Sequence, residues 1–113
     1  MPHVGARSIL VIDDDSVARG LLVRILEEEG YLVRGVATTM ECLSLLDGGA
    51  EFDLLAAEVV MPPSMPHGFA LGRMVKLRNP RQQLLYVTGV LEALPEGELE
   101  TVEILTKPRY RDP

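Results

Sequence analysis

The sequence is poor in cysteine, in long apolar runs and in positive charge. Its one cysteine, Cys42, cannot close an internal disulfide, so a fold here must stand on its core without staples. No stretch approaches the roughly eighteen apolar residues of a membrane span. The opening Met-Pro-His-Val-Gly-Ala-Arg also lacks the apolar segment of a secretory signal, so the expected place is the cytoplasm. Eleven basic residues stand against 17 acidic ones, a net charge of -6. That balance repels a phosphate backbone and offers no positive stripe for counterion release, which argues against nucleic acid as a direct partner. What is present is a 113-residue chain with 47% hydrophobic and 25% charged residues, the length and balance of one globular domain over residues 1–113. A chain of this size buries roughly two thirds of its unfolded surface.

Ser8 to Ile12 is a short apolar, β-branched run that ends abruptly in Asp13-Asp14-Asp15-Ser16, the pattern of a buried strand entering a polar loop. Val17, Leu21, Leu22, Ile25 and Leu26 then recur at helical spacing among Arg19, Arg24, Glu27 and Glu28, and Gly30 is placed to stop that helix. Tyr31 to Val36 reads as a second strand. Thr38 followed three residues later by Glu41 is a capping-box signature for a second helix, which Gly48-Gly49 closes. Phe52 to Ala57 is a third strand and delivers another acid, Glu58, before a proline-thick loop through Pro62, Pro63 and Pro66. Phe69 to Arg78 reads as a third helix, Gln83 to Thr88 as a fourth strand, and Thr101 to Thr106 as a fifth. Between the last two, Val90 to Glu100 carries Pro95 and Gly97 and makes only a poor fourth helix.

Strands alternating with helices predict right-handed βαβ units: a doubly wound, five-stranded parallel sheet with helices on both faces. In such a sheet ligands bind at the carboxyl ends of the strands. The first strand ends in Asp13 and Asp14, the third in Glu58, the fourth in Thr88 and the fifth in Lys107, so all five residues belong to one edge. Carboxylates gathered there repel one another and favour a hard cation, Mg2+ above all, which needs only one or two carboxylates beside its waters and a phosphate. Lys107 would bring a point charge to a phosphoryl oxygen, Thr88 a hydroxyl donor, and Gly89 a backbone amide. Singly, each residue has a plainer role: acids as helix caps, a strand-end threonine, a solvated lysine, His3 and His67 at the surface, and Cys42 as packing. The ordered set is what points to phosphoryl chemistry.

Ile9-Leu-Val-Ile-Asp-Asp-Asp-Ser16, Asp53-Leu-Leu-Ala-Ala-Glu-Val-Val-Met-Pro62, His67-Gly-Phe-Ala-Leu71, Leu84-Leu-Tyr-Val-Thr-Gly89 and Ile104-Leu-Thr-Lys-Pro108 together make the chain resemble the receiver domains of bacterial response regulators, the CheY-like family. The segments around Thr88 and Lys107 look most like receivers attached to hybrid histidine kinases or standing alone as small regulators. The resemblance implies a flavodoxin-like fold and a non-enzymatic phosphorelay switch. A partner histidine kinase phosphorylates a strand-three aspartate, Mg2+ is held by Asp13 and Asp14 with the acceptor carboxylate, and Thr88 and Lys107 read the phosphoryl group. The acceptor position falls on Glu58, a glutamate. Its extra methylene moves the attacking oxygen by about 1.5 Å, and misplacement on that scale costs of order a hundredfold in rate. Two readings of Glu58 stand side by side: a built-in mimic of the phosphorylated state, and a degenerate site in a plain protein-interaction module.

Other departures are Ile104 where the family usually has an aromatic, Arg109 in place of a phenylalanine, and an end at Pro113 where the family adds a fifth helix. A sheet truncated after its fifth strand leaves an apolar strip uncovered, and the expectation is a homodimer through that face. A different class also fits the first strand. Asp13-x-Asp15 resembles the nucleophile and general acid of haloacid-dehalogenase-like phosphatases, although Asp112 is the sole acid left beyond Lys107 where that family needs a pair.

Overall fold

The computed structural model describes residues 7–59, 68–88 and 104–106, with Thr88 and the last three as backbone. The order is β1 (Ser8–Ile12), α1 (Ser16–Glu28), β2 (Leu32–Val36), α2 (Thr39–Asp47), β3 (Leu54–Glu58), α3 (Gly68–Arg78), β4 (Gln83–Thr88) and β5 (Ile104–Thr106). The strands form one parallel sheet in the order β2-β1-β3-β4-β5, the doubly wound arrangement expected. The expected fourth helix, the proline loop from Met61 to His67, the first half of the fifth strand and everything from Lys107 onward lie outside the described residues.

Helix ends follow local chemistry. Asp15 caps α1 by accepting the Val17 and Ala18 amides on its Oδ1 at 2.9 and 3.2 Å. Thr38 caps α2 through the Glu41 amide at 3.0 Å, and the Glu41 carboxylate returns to the Thr38 hydroxyl and the Ala37 amide. Both helices stop on a glycine in the left-handed region, Gly30 and Gly49, each with φ of 98°. Gly30 N–H reaches Glu27 O and Tyr31 N–H reaches Leu26 O, while Gly49 and Ala50 repeat the pair on Leu46 and Leu45, so both ends are Schellman motifs. This explains two shifted boundaries. Tyr31 belongs to the end of α1, and β2 starts at Leu32. Likewise β3 starts at Leu54 because Asp53 is held by Ser8: its amide donates to Ser8 O at 2.9 Å and its carboxylate accepts the Ser8 amide at 2.8 Å.

Strand alternation sorts the core into two faces. Leu10, Ile12, Leu55, Ala57 and Tyr86 meet Cys42 and Leu43 of α2 and Phe69, Leu71 and Val75 of α3. Ile9, Val11, Ala56 and Val87 meet the half-buried Leu22, Val23 and Leu26 of α1. No residue of α1 is itself buried.

Candidate functional site

The carboxyl edge is set by register. Ile12 pairs with Ala57, so Asp13 and Glu58 lie one step beyond at the same level on neighbouring strands, and Glu58 pairs with Val87, one residue before Thr88. Asp13 continues the rhythm of Ile9 and Val11, and Glu58 that of Ala56, which places both acids in the row facing α1. Both are buried, Asp13 at 3% and Glu58 at 7% exposure, in a sheet edge where a carboxylate is otherwise rarely enclosed. Asp14 is exposed.

The turn after β1 is tightly specified. Asp13 N–H extends the β1–β2 ladder to Val36 O at 3.1 Å, and the Asp13 carboxylate accepts the Asp15 amide on Oδ1 at 3.0 Å. From the first turn of α1, Arg19 swings back and donates through Nη1 to the Asp13 carbonyl at 2.8 Å. Its methylene stem lies on Gly35 of β2. A Cβ there would stand 3.1 and 3.2 Å from Arg19 Cγ and Cδ.

The turn after β3 is fixed by a different contact. The first amide of α3, Gly68 N–H, donates to Val59 O at 2.9 Å. A side chain on Gly68 would collide with the Glu58 carbonyl and the Val59 Cα, so α3 begins directly on the Glu58–Val59 peptide. Behind it, Phe69 packs edge-on to Tyr86 with ring centroids 4.6 Å apart, and the Tyr86 hydroxyl fills the space a side chain on Gly72 would need. Residues 68–72 of α3 thereby join the acidic end of β3 to β4.

Of the five residues expected at this edge, Asp13, Asp14 and Glu58 are brought to it by β1 and β3. Thr88 closes β4 and its backbone pairs with Thr106, and Lys107 lies outside the described residues. Among the described residues no three His, Cys, Asp or Glu side chains converge as a metal cage. The donors at this edge are nevertheless hard carboxylate oxygens, which suit a cation that keeps most of its own waters and takes one or two protein ligands. Sequence reasoning missed Arg19, Gly35 and Gly68. An isolated glycine inside a strand signals close backbone or side-chain approach, and that signal could have found Gly35. Arg19 looked like one more charge on a solvated helix face.

Away from this edge, Arg78 grips Asp47 with Nε and Nη2, at 2.6 and 3.2 Å, and holds its carboxyl below the usual carboxylate range. Burial in the α2 side of the core pushes the Cys42 thiol up to about 11. Among the described residues no helix is long and apolar enough to cross a membrane.

Known proteins share this architecture. The structure resembles the response regulator TrrA of Thermotoga maritima, solved with Mg2+-BeF, at 21% identity over 93% of this chain and 89% of that one, with a TM-score of 0.77. It also resembles the chemotaxis protein CheY4 of Vibrio cholerae at 25% identity, 92% and 88% coverage and a TM-score of 0.77. By sequence it is 30% identical over 89 residues to the sensor kinase CckA of Brucella abortus, covering 78% of this chain. It is also 30% identical over 94 residues to ethylene receptor 4 of Oryza sativa subsp. indica, covering 80%. The chain spans only 9% and 12% of those two proteins. Residues 9–111 match the response regulator receiver domain, and the chain belongs to that family, a receiver domain of two-component signalling.

Proposed function

We propose that this receiver signals without being phosphorylated, because Glu58 occupies the acceptor position. The observation that carries the reading is the buried Glu58 with Gly68 pressed on its carbonyl. The extra methylene of glutamate advances the carboxylate by about 1.5 Å. Withdrawal of the β3 backbone could restore the geometry of an aspartate, but β3 is held in register by its ladders to β1 and β4, and α3 begins against the Glu58–Val59 peptide. Glu58 therefore projects toward the place a phosphoryl oxygen would take and stands in for it, with Thr88 and Lys107 as the groups that would sense its charge. Mg2+, as in the complex described for TrrA, would be held by Asp13 and Asp14 with Glu58 and would neutralise their mutual repulsion.

The domain on this reading is a switch element and not an enzyme, with a histidine kinase or a downstream signalling protein as partner. Self-association through the sheet face beside β1 and β5, the side on which α1 packs, is part of the proposal; Val17 and Ile25 of α1 are exposed there. The phosphatase alternative asks Asp15 to donate a proton, and its carboxylate is engaged as an acceptor from two helix amides, which favours the receiver reading.

The test is intact mass after incubation with Mg2+ and acetyl phosphate, with Glu58→Asp beside the parent. The expected result is a phosphoryl adduct on the Asp variant alone. An adduct on the parent overturns the reading. Glu58→Gln separates mimicry from a degenerate site: mimicry predicts a shifted Thr88 amide resonance, and an unmoved one rejects it.

A further inference from the structure

Arg19 presents a conflict that only one role resolves. A guanidinium is permanently charged, and beside a pair of acids meant for a divalent cation it repels that cation, so on charge alone it is a handicap. Yet its place is closely built. The stem is held between α1 and β2, where Gly35 leaves room for Cγ and Cδ, and the head group ends on the Asp13 carbonyl at 2.8 Å. That carbonyl belongs to the residue whose amide extends the sheet ladder to Val36 and whose carboxylate is aimed by the Asp15 amide. Three hydrogen bonds thus converge on Asp13 from β2, from the turn and from α1.

We propose that Arg19 is the positioning residue of the acid turn: it clamps the Asp13 carbonyl so that Asp13 and Asp14 are presented together to a divalent cation, a gain that outweighs its charge. This rests on the reading of those acids as cation ligands. Charge and positioning predict opposite signs. Arg19→Met keeps most of the stem and removes the head. If Arg19 acted through charge alone, the Met variant would bind the cation more tightly; as a clamp, its loss weakens binding about tenfold, the size of one charge-assisted hydrogen bond. Arg19→Lys, which keeps a donor, recovers part of the loss. Gly35→Ala is the complementary variant, since it keeps the charge and crowds the stem together with Val23 Cγ2 at 3.2 Å, and a clamp predicts weaker binding, by about threefold.

The experiment is a titration of each protein with Mn2+, read as the free-ion signal in electron paramagnetic resonance, with amide exchange at Asp15 followed by NMR. Weaker Mn2+ binding in both Arg19→Met and Gly35→Ala, with faster exchange at Asp15, is the expected result. Unchanged or tighter binding in Arg19→Met overturns the proposal. If the parent itself binds no Mn2+, the cation reading of the acids fails, and the exchange arm decides the clamp separately: equal Asp15 protection in parent and Arg19→Met rejects it.

Discussion

The two faces of the sheet are built to different depths. On one, α2 and α3 close over Leu10, Ile12, Leu55, Ala57 and Tyr86 with Phe69, Leu71 and Val75, all nearly inaccessible. On the other, four small or β-branched strand residues meet a helix that buries none of its own side chains. The two acids Asp13 and Glu58 emerge in the row facing the second, thinner side, while the Gly68 and Phe69 contacts that fix Glu58 come from the first. The acids and the contacts that hold them are thus supplied from opposite sides of one strand edge. Buried groups transmit strain and exposed ones yield to it, so the deep side is suited to hold geometry and the shallow side to give way.

That contrast is open to direct attack. Phe69→Ala removes a ring at 2% exposure and its edge contact with Tyr86, and is expected to cost about 3–5 kcal/mol in urea unfolding. Leu22→Ala on the half-buried face of α1 is expected to cost about 1 kcal/mol. Comparable losses at the two positions would erase the distinction between the faces.

Cys42 sharpens the contrast through pH. Its thiol is raised from 9.0 to about 11 by burial, so the folded state keeps the proton where the unfolded chain has released it. Its contribution is complete below pH 9 and is lost as pH rises toward 11, on the order of 2 kcal/mol across that window. Cys42→Ala should flatten the fall, and in the native parent the thiol should be inert to disulfide reagents near neutral pH. Rapid modification without unfolding would mean that the α2 side opens as readily as the α1 side.

A smaller effect is expected at Gly72. Alanine is the better helix former by about 1 kcal/mol, but its Cβ would meet the Tyr86 hydroxyl and crowd Leu84 Cδ1 at 3.2 Å. Overpacking against a ring already wedged by Phe69 costs about 1–3 kcal/mol, so Gly72→Ala should come out destabilising. In a Tyr86→Phe background the loss should shrink, a coupling measurable by a double-mutant cycle.

The fold was legible because α1 and α2 carried their own starts and stops. Asp15, Thr38 with Glu41, Gly30 and Gly49 act within a few residues of themselves, and local chemistry of that kind is written in the sequence. The edge acids were legible too, since a strand-end carboxylate follows from strand order. What was not legible depends on groups far apart in the chain: Ser8 on Asp53, Arg19 on Gly35, Gly68 on the Glu58 carbonyl. A start at Phe52 for β3 followed from counting apolar residues, and a hydrogen bond spanning 45 positions moved it to Leu54.

The weakest effect is expected where the geometry looks strongest. Arg78 and Asp47 join the carboxyl ends of α2 and α3 in a forked pair, but both side chains are open to water, 41% and 57% exposed. In water such a pair gains little over its solvated partners and must immobilise two side chains to form. Asp47→Asn should therefore lower the unfolding midpoint only slightly, and equally at pH 5 and at neutral pH. The residual contribution has a defined sign. Because the Arg78 hydrogen bond lowers the Asp47 carboxyl below 3.8, whatever stability the pair supplies is present above that pH and disappears as pH falls through the lowered value. Parent and variant should differ slightly at pH 5, converge in stronger acid, and lose even that difference in high salt. A large loss at pH 5 would show that α2 and α3 depend on this surface clasp, and the deep face would then owe its cohesion to charge as well as to its core.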